Sequence, residues 1–91
     1  MKYFDWSIEK NEQLKTERGI GFEEIVVAIH ESNILDILIH KNQKKYPGQR
    51  IFVIQIDYYA YVVPFIEDDE KIFLKTIFAS RKATKHYIVN T

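Results

Sequence analysis

The chain has 91 residues, 46% of them hydrophobic, with 13 basic and 13 acidic side chains and no formal net charge. That is a single domain, residues 1–91, with no room for a second core and too apolar for a disordered segment. The absence of cysteine excludes disulfides, Cys–zinc sites and thiol nucleophiles, and the histidines, His30, His40 and His86, match no familiar zinc spacing. The longest mainly apolar stretch, Tyr58 to Ile66, is about half the length of a membrane-spanning helix. Met1 to Asp5 lacks the apolar core of a signal peptide. The expectation is a soluble, cytoplasmic protein with no metal, no organic cofactor and no membrane contact.

Lys2 to Trp6 is a brief aromatic run suited to a strand. Ser7 is placed to cap a helix over Ile8–Arg18, which Gly19 closes at its C′ position. Gly19-Ile20-Gly21 breaks the chain between two helices. Phe22, Ile25, Val26 and Ile29 then recur at i, i+3, i+4 and i+7, with Glu23 and Glu24 in the first turn. That is an amphipathic helix with acids at its positive end.

From Leu35 the period falls to two: Leu35, Ile37 and Ile39 alternate with Asp36, Leu38 and His40, which reads as a strand. Lys41–Gln49 is a polar loop with a Pro47-Gly48 turn. Arg50–Asp57 is a second strand, with Phe52, Ile54 and Ile56 on one face and Ile51, Val53 and Gln55 on the other. A third runs over Tyr59–Ile66, and Pro64, having no N–H, marks an edge, a bulge or a strand end. Glu67–Lys71 is a charged turn whose consecutive acids lack the spacing and turn glycine of a calcium loop. Ile72–Ala79 is a fourth strand, with Phe73, Lys75 and Ile77 facing opposite to Leu74, Thr76 and Phe78. Ser80 caps a short helix over Arg81–Ile88. The short connections favour an antiparallel meander of three to four strands with the helices on one face, an α+β domain.

Charge is sorted along the chain. Residues 1–36 hold four basic residues against eight acids, and residues 37–91 hold nine against five. Residues 37–56 contain no acid but include His40, Lys41, Lys44, Lys45 and Arg50, and no acid follows Glu70. If the two basic stretches meet in space, one face of the fold suits a polyanion.

Two groups of residues, in this order, carry a resemblance. Phe4-Asp5-Trp6, Glu9-Lys10-Asn11, Leu14, Arg18-Gly19-Ile20 and Phe22-Glu23-Glu24 look like the opening of the BrnT family. Ser80-Arg81-Lys82-Ala83-Thr84, directly after an apolar strand, is similar to that family's closing signature. The resemblance spans essentially the whole chain. It implies a RelE-like fold and a toxin of a bacterial type II toxin–antitoxin pair, an endoribonuclease acting on mRNA. It further implies a ribbon-helix-helix antitoxin as partner and, through that antitoxin, contact of the complex with operator DNA. In one respect the chain departs from the pattern. Many members carry a Tyr-Thr-x-Arg sequence leaving the third strand, where this chain has Val63-Pro64-Phe65-Ile66-Glu67-Asp68.

A metal-free ribonuclease uses the 2′-OH of RNA as nucleophile, so it needs cations at the phosphate and groups that move protons. The candidates are Arg50, Lys75, Arg81, Lys82 and His40. Each has a plainer alternative: Arg50 as a strand-end charge, Lys75 as an exposed strand position, and Arg81 with Lys82 as a solvated first turn. Two cations at a helix N-terminus are unfavourable for the helix itself, which speaks for a bound anion. His40 and His86 titrate in the neutral range in their unperturbed form. Tyr46 is suited either to stacking on a base or to anchoring its loop, and His30 is read as structural. A non-catalytic binding module that pairs with an antitoxin-like partner, and a plain RNA-binding domain, are the alternatives to an enzyme.

Overall fold

The computed structural model describes residues 2–89. Its elements are β1 (Tyr3–Asp5), α1 (Ile8–Arg18), α2 (Phe22–His30), β2 (Ile34–Ile39), β3 (Arg50–Ile56), β4 (Tyr59–Glu67), β5 (Lys71–Leu74), β6 (Phe78–Ala79) and α3 (Arg81–Thr84). A π-helical turn over Lys85–Val89 continues α3. The fold is α+β, but the sheet has six strands and is mixed.

Local chemistry sets the two long helices. Ser7 Oγ accepts the Lys10 N–H, and Gly19, at φ 70°, ends α1 by returning its N–H to the Lys15 carbonyl at 3.1 Å. Only a residue tolerant of positive φ closes a helix in this way. At the start of α2 the Glu24 carboxylate accepts the Gly21 N–H. A Cβ on Gly21 would lie 2.7 Å from both Glu23 Oε1 and Lys15 Cε, so a larger residue there would push these side chains aside.

The sheet runs in the order β1-β5-β4-β3-β2, with β6 beside β4. β3 and β4 form an unbroken antiparallel ladder from Arg50 opposite Phe65 to Ile56 opposite Tyr59. The expected meander accounts for β2 to β5. It misses β1, which lies parallel to β5, because that pairing joins residues about seventy positions apart. The expected strand over Ile72–Ala79 is in fact two. Phe65 faces Leu74 and Val62 faces Phe78, so Lys75, Thr76 and Ile77 stand against only Val63 and Pro64. This is a bulge, one of the three outcomes Pro64 allowed, and Lys75 donates its N–H to the Pro64 carbonyl at 2.8 Å. The extra residue reverses the side-chain phase, so Leu74 and Ile77, expected on opposite faces, both enter one core.

Register and alternation divide the sheet into two faces. Phe52, Ile54, Val63, Phe65 and Leu74 pack against Leu14, Ile20, Phe22, Ile25 and Ala28 of α1, α2 and their junction. The helices were expected on one face; α3 instead lies across the other. There Leu38, Val53 and Val62 meet Lys82, Ala83, His86 and Tyr87. Thr84 fixes the approach, its buried Oγ1 accepting the Ala60 N–H at 2.8 Å and donating to the Ser80 carbonyl. None of the described helices is long and apolar enough to cross a membrane.

Candidate nucleic-acid interface

The face that carries α3 is built from alternate residues of each strand. Asp36 and Leu38 of β2 lie opposite Val53 and Ile51 of β3, which in turn face Val62 and Pro64 of β4. His40 continues the alternation one step past β2 and donates its N–H to the Gln49 carbonyl. Between α3 and this face lies a cavity of about 300 Å³, floored by Leu38, Val53 and Val62 and walled by Lys82, His86 and Tyr87. Tyr87 holds the wall in place by donating its hydroxyl to Asp36 Oδ2 at 2.6 Å, and that carboxylate raises the phenol's pKa above its usual value.

A second cluster stands beside it, around Tyr46. The His40 ring packs on the Tyr46 ring with centroids 4.4 Å apart. Lys45 Nζ lies 5.4 Å and Lys75 Nζ 5.9 Å from the same ring. Lys75 also donates to Gln49 Oε1 at 3.1 Å, and Gln49 is buried, so the ammonium is aimed rather than free. His40 Nδ1 accepts the Asn42 N–H at 3.1 Å, which assigns the proton of the neutral ring to Nε2 and makes that nitrogen a donor. The loop that carries these residues is itself ordered by side chains: Asn42 Oδ1 accepts the Lys45 N–H, and Gln43 Oε1 accepts the Gly48 N–H.

The other expected cations do not join this cluster. Arg50 pairs across the strands with Phe65, on the face of α1 and α2. Its guanidinium lies 5.1 Å over the Phe65 ring and is ion-paired to Glu67, which also takes Lys2. Lys2 first, and then Arg50, holds the Glu67 carboxyl below its usual range. Glu67 thus neutralises Arg50. Arg81 is exposed at the start of α3. Ser80 donates its N–H to the Ala60 carbonyl, whereas Lys75 bonds Pro64. Four residues of extended chain, about 13 Å, therefore separate the two attachment points along β4. The expected convergence of Arg50, Lys75 and Arg81 in one pocket is not found.

Nor does α3 offer the expected anion site at its N-terminus. It is four residues long, and Ser80 Oγ already accepts the Ala83 N–H at 3.0 Å. Lys82 is the member of the closing motif that reaches the shared face, through the cavity wall. Lys82 therefore borders the cavity, whereas His40 and Lys75 meet at the Tyr46 ring. In the sequence Lys45 is one of a basic stretch; the signal that singles it out is its adjacency to Tyr46. The turn expected over Glu67–Lys71 is shorter, since Glu67 ends β4 and Lys71 begins β5; Asp68 Oδ1 accepts the N–H groups of Glu70 and Lys71, which lowers the Asp68 pKa. Among the described residues no group of three or more His, Asp or Glu side chains is placed to hold a metal ion.

An aromatic ring ringed by cations beside a half-apolar sheet face has the chemistry of a single-stranded nucleic-acid contact. Bases stack on such rings without regard to sequence, and ammonium groups follow the backbone. No family model, no curated protein and no solved structure matches this chain.

Proposed function

We propose that this chain is an RNA-cleaving toxin of the RelE-like, BrnT type, acting on mRNA in the cytoplasm and held inactive by a ribbon-helix-helix antitoxin, with the complex binding operator DNA through the antitoxin. The observation that carries the reading is the Tyr46 ring, bordered by His40, Lys45 and Lys75 on the face shared with Lys82. The order and spacing of the motifs at both ends of the chain support it.

In this reading a base stacks on Tyr46 and Lys75 takes the adjacent phosphate, its ammonium held by Gln49. The 2′-OH passes its proton to water as its oxygen attacks the phosphorus, the bond from phosphorus to the 5′-oxygen breaks, and that oxygen takes a proton back from water, leaving a 2′,3′-cyclic phosphate. His40 Nε2 donates to the same phosphate, and Lys82 with Arg81 carries the strand onward across α3. Removing one preorganised donor from such a centre costs about 10²–10³ in rate. Arg50, turned away and paired with Glu67, takes no part in the chemistry. Its neutralisation favours one second reading, in which the same face binds RNA or a partner without cleaving it.

Inducible expression with RNA gels tests both. Growth arrest with RNA cleavage, abolished by Lys75→Ala and by Tyr46→Ala in folded protein and unaffected by Arg50→Ala, is the expected outcome. Arrest that survives both changes removes this cluster from the site. RNA binding without cleavage or arrest selects the non-catalytic reading.

A further inference from the structure

We propose that β2 is a self-association edge, where a second copy of this chain adds its own β2 in antiparallel register about Leu38. β2 ends the sheet, and among the described residues no strand covers its outer side. The backbone orientation is fixed by two bonds. His40 donates its N–H inward to the Gln49 carbonyl, so alternation turns the polar groups of Leu38 and Asp36 inward as well. Those of Ile37 and Ile39 point outward, and accordingly the Ile37 N–H is taken by the Asp36 carboxylate instead of by β3.

Such an edge is normally guarded by lysine, proline or a covering loop. Here the strand reads Ile-Leu-Asp-Ile-Leu-Ile, with Ile37 47%, Leu38 40% and Ile39 71% exposed. The pattern is complementary to itself. With Leu38 on Leu38 at the two-fold axis, Ile37 of each copy meets Ile39 of the other, and each of these pairs exchanges two backbone hydrogen bonds once the Ile37 N–H leaves the Asp36 carboxylate. The polar positions fall opposite as well: Asp36 of each copy faces His40 of the other, in pairs whose Cα atoms stand about 4.5 Å apart in an antiparallel ladder. No like charges are opposed, which is the condition a two-fold interface must meet and which a strand from an unrelated protein satisfies only by coincidence. An imidazole turned to the second copy's carboxylate is withdrawn from RNA, so pairing and RNA contact at His40 exclude one another. The association itself does not depend on that reading.

Light scattering across a concentration series reads the mass directly. The expected result is a rise from 10.9 kDa toward twice that value, with Ile39→Lys remaining at 10.9 kDa while its circular dichroism matches the parent. Because the chain has no cysteine, Leu38→Cys places a lone thiol on the axis. Mild oxidation is expected to give a covalent dimer, whereas Tyr58→Cys, at the exposed β3–β4 turn, gives none. A mass of 10.9 kDa at every concentration overturns the proposal. So does a dimer that Ile39→Lys leaves intact and Leu38→Cys fails to cross-link, since it must then use another surface. Should Ile39→Lys fail to fold, the cross-link decides alone.

Discussion

Asn11 uses both ends of its amide at the joint between α1 and α2. Its Oδ1 accepts the Phe22 N–H at 2.7 Å, one of the donors left without a partner at a helix start, and its Nδ2 donates to Glu23 Oε2 at 2.9 Å. That amide, ahead of Lys15, holds the Glu23 carboxyl below its usual value. The side chain is buried, so Asn11→Ala strands the Phe22 N–H away from water and is expected to cost about 1–3 kcal/mol in urea unfolding. A loss of only a few tenths would mean that water reaches the joint. The same logic applies at the other end of the chain, where Ser80 caps α3 and Thr84 ties it to Ala60. Asn11, Phe22, Glu23, Ser80 and Thr84 are motif residues that carry the resemblance, and each is occupied in building the fold. In the closing run, Arg81 and Lys82 are left exposed.

Elements whose ends are set by neighbouring residues were legible in the sequence, and those set by distant partners were not. Ser7 and Gly19 delimit α1 at the residues expected, because a cap and a positive-φ glycine act within one turn. Pro64 announced an irregularity, but a bulge lies in the pairing of two strands, and alternation along one strand cannot reveal the phase reversal at Lys75–Ile77. That Arg50 shares a face with Phe52 and Ile54 was legible by alternation, but that α1 and α2 cover this face was not. The face chosen by α3 was not, since either side of the sheet offers it aliphatic residues. Its docking rests in part on the Tyr87–Asp36 bond, and the sign of the pH effect follows from it. A phenol whose pKa is raised in the folded state contributes fully below its ordinary value of 10.0 and loses that contribution as pH rises through the folded value. Amide exchange in α3 and the following turn is therefore expected to accelerate above about pH 10, while β3 and β4 stay protected. Tyr87→Phe is expected to exchange faster already at neutral pH and to lose that dependence. A parent protein with no alkaline change in α3 would show that the bond does not hold the helix down.

At the scale of the molecule, the sorting of charge in the sequence becomes a difference between faces. The acid-rich first third contributes α1 and α2, which cover one side of the sheet, and the basic stretches supply the loop and helix that border the other. A polyanion approaching the neutral chain therefore meets a patch, and only cations on that patch release counterions from it. For single-stranded RNA each released charge adds about 0.7 to the slope of log affinity against log salt. Fluorescence anisotropy with a short unstructured RNA, read across salt concentrations, is expected to show Lys75→Ala lowering that slope by about 0.7. Lys82→Ala is expected to do the same. Arg50→Ala is expected to leave it unchanged, because its guanidinium is already paired with Glu67 on the far face. Net charge falls equally in all three variants, so a simple charge effect predicts equal slopes, whereas a localised interface predicts two reduced slopes and one intact. Equal reductions would dissolve the distinction between the faces and with it the assignment of RNA to the Tyr46 side.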